Sequence, residues 1–114
     1  MAARSEPMMA GSAATSTRSP TKARCAADCQ QLEQLPNIGP SLAGDLRSIG
    51  IDSPQQLRGA DAFQLYQRLC QASGRRHDPC VLDTFLAITD FMAGAPPAPW
   101  WRYTADRKLR FGSI

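Results

Sequence analysis

The chain has 114 residues, 43% of them hydrophobic, and a formal net charge of +3, a length that supports one small domain with tails and a single core. No apolar run approaches the roughly 20 residues needed to span a bilayer, so no membrane partner is expected. The positive charge sits at the ends, with four bases against one acid in residues 1–24 and again in residues 102–110, and five bases against eight acids between them; an acidic body excludes strong duplex binding by the body alone, because affinity for DNA tracks the phosphates neutralised.

Residues 1–24 are Ala, Ser, Thr, Pro and Arg with almost no large apolar side chain. Such a stretch cannot repay its ordering entropy and is expected to be a disordered basic tail, or an arm that adds phosphate contacts. No long apolar segment follows Met8-Met9-Ala10, so no secretory signal is expected and cytoplasmic is the default location. The helical domain is expected over residues 25–95. Its first helix should run from Asp28 to Leu35, with Asp28 and Gln31 spaced as a capping box. Pro36 cannot continue it. Asn37 and Gly39 both accept positive φ, which lets the chain reverse around an inward-pointing Ile38. Pro40 is preset for a helix start. The second helix should run from Ser41 to Ile49, with Leu42, Leu46 and Ile49 on one face and with Ala43 and Gly44 small enough for close approach of a neighbour.

A sharp bend opening directly into a helix leaves backbone N–H groups unpaired at the positive end of the helix dipole, a setting that suits a phosphate. The segment Leu35-Pro36-Asn37-Ile38-Gly39-Pro40 resembles the helix-hairpin-helix motif, which holds one nucleic-acid backbone through main-chain amides without reading bases. The resemblance implies backbone contacts at Asn37, Ile38, Gly39, Ser41 and Leu42, with Arg47, and then Arg58, as the nearest bases in sequence. Asn37 stands where that motif most often has glycine.

Further along, Ser53 and Gln56 form a capping box around Pro54 for a one-turn helix that Gly59 ends, similar to the start of a second, degenerate hairpin. Asp61 and Gln64 start another helix, with Phe63, Tyr66, Leu69 and Cys70 spaced for one buried face and Gly74 as its stop. After the basic turn Arg75-Arg76-His77, Asp78 and Pro79 open the longest helix, up to Gly94. Its apolar positions cover more than one stripe, so it should be central. Residues 96–114 are expected to be an extended basic segment, since three prolines precede Trp100 and Trp101. At least one of those tryptophans is expected to fold back and cap the core; the alternatives are an interface or a stacking platform for an unpaired base. The predicted fold class is all-α, a small bundle of about five short helices.

Four cysteines without an export signal should be reduced thiols. Cys70, His77 and Cys80 could gather into a mixed site but lack a fourth ligand and the paired spacing of zinc modules. Cys80, in a first helical turn near Arg75, Arg76 and His77, has the surroundings that lower a thiol pKa. It has no resolving partner and no acid–base constellation around it, so we expect Cys80 to pack near the core. No enzyme, catalytic residue, metal or cofactor is expected.

Together with that bend, Asp45-Leu46-Arg47-Ser48-Ile49-Gly50-Ile51, Asp78-Pro79-Cys80-Val81-Leu82-Asp83 and Pro99-Trp100-Trp101 resemble one small bacterial family over roughly residues 30–108. This is the pathogenicity-locus helix-hairpin-helix family, some members of which carry the name mitomycin resistance protein. The resemblance implies a fold and a link to DNA damage tolerance, not a reaction. Two functional expectations follow. One is weak, non-sequence-specific binding of nucleic acid, DNA ahead of RNA. The other is a protein-interaction module or homodimer in which Trp100 and Trp101 form the contact.

Overall fold

The computed structural model describes residues 21–112. Within them lie four α-helices and four short 3-10 turns, and no strand is present. We label the helices α1 (Pro40–Ser48), α2 (Ala62–Ser73), α3 (Pro79–Met92) and α4 (Thr104–Phe111).

Local capping chemistry sets most of these boundaries. The Asp61 side chain accepts from the amides of Phe63 and Gln64, and Gly74 closes α2 in the left-handed conformation at φ 70, where a residue with a Cβ would be strained. Asp78 caps α3 through the Cys80 amide, with Pro79 in the first helical turn. The Ser53–Gln56 capping box holds Pro54–Leu57 as a single 3-10 turn.

Helix α3 is the centre of the fold. Every residue from Leu82 to Ile88 is buried, as are Phe91 and Met92. Around it pack α2, the Pro54–Leu57 turn, the 3-10 turn Trp100–Tyr103 and α4, while α1 rests on α2 and on the turn Leu32–Gln34. Leu32, Leu35, Ile38 and Leu46 complete the core from the N-terminal side, all without solvent contact.

Four expectations are corrected. First, the helix over Asp28–Leu35 is replaced by two 3-10 turns, Ala26–Asp28 and Leu32–Gln34. The capping box forms one turn later than predicted, with the Gln34 side chain accepting from the amides of Gln30 and Gln31 at 2.7 and 2.9 Å. Leu35, which precedes Pro36, is driven out of helical geometry to φ −65, ψ 145. Too few residues then remain for an α-helix.

Second, the C-terminal segment is extended only through its prolines. It forms a turn at Trp100–Tyr103 and then α4. Third, neither tryptophan caps the core. Trp100 is 39% and Trp101 61% exposed, because other aromatics fill that role: Tyr103 packs against the core and Phe111 stacks on Phe63 with ring centroids 4.7 Å apart. Fourth, Gly44 is exposed and faces open space, so only Ala43 provides close approach on α1.

The predicted N-terminal tail lies mostly outside the described residues. Of its last members, Ala23 is buried and its amide donates to the Gln34 carbonyl at 2.9 Å.

Candidate nucleic-acid interface

The bend between Leu35 and Pro40 is built from unlike neighbours. Ile38 is fully buried, its amide donates back to the Leu35 carbonyl at 3.3 Å, and it anchors the loop to the core. Asn37 alone among the non-glycine residues described has positive φ, at 70. Gly39 does not need its freedom there; it sits extended at φ −99, ψ −173 as the N-cap of α1 and supplies no side chain to close the helix end.

That missing cap defines the site. Among the described residues, the amides of Gly39, Ser41 and Leu42 have no hydrogen-bond acceptor. Gly39, Pro40 and Ser41 are exposed, and nothing lies within 4 Å of where a Gly39 Cβ would stand. An anion can therefore approach three donors at the positive end of a helix dipole.

The carbonyl side of the same bend is closed from within. The Lys22 ammonium donates to the carbonyls of Glu33 and Leu35, each at 2.9 Å, and of Ile38 at 2.5 Å. Burial lowers the pKa of this ammonium from its ordinary value, and Cys29 and Glu33 oppose the shift. No sequence signal marked Lys22 as part of the loop, since it lies 16 positions from Ile38. A cation held beneath the bend adds positive potential at the amide face.

Of the residues expected to face a nucleic acid, Gly39, Ser41 and Leu42 thus present open amides. Ile38 spends its amide on Leu35. Asn37 donates through Nδ2 to the Ala98 carbonyl at 2.9 Å, which ties the bend to the C-terminal segment. Arg47 is turned to Glu33, with its two terminal nitrogens each 3.0 Å from a carboxylate oxygen. The hydrogen bond from Arg47 holds the Glu33 carboxyl below its ordinary pKa. Arg58 instead lines a groove of about 310 Å³ with Gln55, Met92 and Gly94.

Thiol chemistry finds no support at Cys80. Burial, a hydrogen bond with Asp78 and the charges of Asp78 and Asp83 push its pKa up to about 11, against the opposing Arg107. The pKa-lowering surroundings that the sequence offered as an alternative are not found: Asp78, Asp83 and Arg107, not Arg75 or Arg76, act on this sulfur. His77 is buried, shares a 2.9 Å hydrogen bond with Ser73 through Nε2, and its backbone amide donates to Cys70 Sγ at 3.4 Å. Tyr66 donates its hydroxyl to the His77 carbonyl. Among the described residues no three His, Cys, Asp or Glu side chains could hold a metal.

The C-terminal segment is fixed at both ends. Beyond the Asn37–Ala98 bond, the fully buried Asp83 of α3 accepts from Thr104 Oγ1 at 2.8 Å and from Arg107 Nε at 2.8 Å. Between these ties stand the exposed Trp100 and Trp101, with the Arg102 guanidinium 6.0 Å from a Trp101 ring centroid. Lys108 and Arg110 are exposed on α4.

A sequence profile described as pathogenicity locus matches residues 25–109. The chain is also 44% identical over 81 residues to the mitomycin resistance protein McrB of Streptomyces lavendulae, covering 71% of this chain and 77% of that one. No solved structure gives a significant match. No helix among the described residues is long and apolar enough to cross a membrane.

Proposed function

The chain belongs to the pathogenicity-locus family, and we propose that it is a cytoplasmic, non-enzymatic protein that binds nucleic acid without reading sequence, using the bend before α1 in the manner of a helix-hairpin-helix. The observation that carries this reading is the set of amides at Gly39, Ser41 and Leu42 without an internal acceptor, the first two on exposed residues and the third on a half-buried one. The name of the Streptomyces relative, a mitomycin resistance protein, agrees with DNA as the ligand and with a role in tolerating DNA damage.

Binding is weak in this account. The body is acidic, and two bases near the bend are committed, Lys22 to carbonyls and Arg47 to Glu33. Few released counterions mean a shallow dependence of affinity on salt.

The test is Gly39→Asp. At an extended N-cap an aspartate folds over the amides of the second and third helical residues, so the protein becomes a few tenths of a kcal/mol more stable. The same carboxylate occupies the anion site. Fluorescence anisotropy with a labelled oligonucleotide at low salt should show affinity falling at least about tenfold, the scale of lost charge-assisted hydrogen bonds. Unchanged affinity in the folded variant overturns the reading. Exposure of Trp100 and Trp101 favours the second reading, a protein-interaction or dimerisation module, and sedimentation of a protein that binds no oligonucleotide would reveal it.

A further inference from the structure

We propose that Trp100, Trp101 and Arg102 form a base-stacking platform that makes an unpaired strand, not a closed duplex, the preferred ligand; this rests on the backbone-holding reading of the bend. Large aromatic side chains normally bury themselves, and in this molecule Phe85 and Phe91 do so completely. The two tryptophans stand out at 39% and 61% exposure. They are not loose, for the Asn37–Ala98 bond precedes them by two residues and the Thr104 and Arg107 ties to Asp83 follow. The Arg102 amide donates to the Pro99 carbonyl at 3.1 Å and closes the turn that carries them. A backbone held this way is set before any ligand arrives, so only the side chains remain to be ordered on binding.

Position links this platform to the bend. Ala98 touches Asn37, two residues before Gly39, and Trp100 lies two residues beyond Ala98. At about 3.5 Å per residue, and with the Asn37 side chain and its hydrogen bond spanning the gap, the Trp100 backbone is then at most roughly 25 Å from the Gly39 amide. A short strand can place a phosphate on the amides and a base on a ring at once. Charge fits the same occupant: Arg102 and Lys108 are exposed in the segment that carries the rings, and the guanidinium over Trp101 adds a cation to the stack. In a closed duplex the base faces are already stacked on one another, whereas an unpaired base offers a face to each ring.

The experiment compares a short oligothymidylate with a blunt duplex at low salt, reading intrinsic tryptophan fluorescence and anisotropy. The single strand should quench the tryptophans and bind more tightly. Trp100→Ala and Trp101→Ala should each weaken it about fivefold or more and leave the duplex within about twofold, and Trp101→Ala, at the more exposed of the two rings, should keep the urea midpoint unchanged. Gly39→Asp should weaken both ligands. If the tryptophan variants bind oligothymidylate like the parent while Gly39→Asp still loses affinity, the platform is overturned and the backbone reading survives. Failure of the parent to bind either oligonucleotide removes both. Concentration-dependent self-association abolished by Trp101→Ala, with strand affinity unchanged, assigns the rings to a second copy and also overturns the platform.

Discussion

Asn37 shows how one side chain serves two purposes. Its φ of 70 is a conformation in which most residues lose roughly 1–2 kcal/mol, and its amide holds the Ala98 carbonyl. A glycine there would meet the first need only. We therefore expect Asn37→Ala to lose both contributions, about 2–3 kcal/mol by urea unfolding, and Asn37→Gly to lose only the hydrogen bond, about 1 kcal/mol. Both should speed amide hydrogen exchange at Arg102, because the segment before it is released. Equal stability of the two variants would show that the left-handed backbone costs nothing here.

At the scale of elements, the join between α3 and α4 depends on one buried acid. Asp83 has no solvent contact, and the Arg107 side chain is 11% exposed; the hydrogen bond that Arg107 donates to Asp83 raises the arginine pKa above its ordinary value. Arg107→Met leaves that carboxylate buried beside Thr104 alone. It should cost about 3–5 kcal/mol in urea unfolding, and the double change with Asp83→Leu should recover most of it. A loss under about 1 kcal/mol would mean that α4 is held to the body by the Phe63–Phe111 stack against α2 and not by the ion pair to α3.

This tie also shows what the sequence could and could not reveal. Helix starts at Asp61 and Asp78, and the turn at Ser53, were legible because a cap and its amides lie within three residues of each other. Asp83 reads as an ordinary polar position until Thr104 and Arg107, 21 and 24 residues away, are brought to it. The useful signal was present in the pattern: an acid between Leu82 and Phe85, on a helix apolar all round, demands a cation from elsewhere. The failed helix at Asp28–Leu35 has a similar origin. Gln34 turns back on Gln30 and Gln31 while Lys22 takes the carbonyls of Glu33 and Leu35. The bend itself was correctly located, yet its open donors do not include Ile38, which uses its own amide internally.

For the whole molecule, the distribution of charge decides how it can meet a polyanion. The net charge is +3, but Lys22, Arg47 and Arg107 are spent on carbonyls or carboxylates within the fold. What the proposed site offers is the set of open amides at the bend and a short segment carrying exposed Trp100, Trp101, Arg102 and Lys108, with Arg110 paired to Asp106. Attraction therefore comes from placed donors more than from an overall field. The most direct measurement is a nitrogen–proton correlation spectrum of the labelled protein titrated with a short oligothymidylate at low salt. The amide resonances of Gly39, Ser41 and Leu42 should move furthest, in step with quenching of the tryptophans. Saturable binding that leaves those three resonances in place, or no binding at all, would contradict the account.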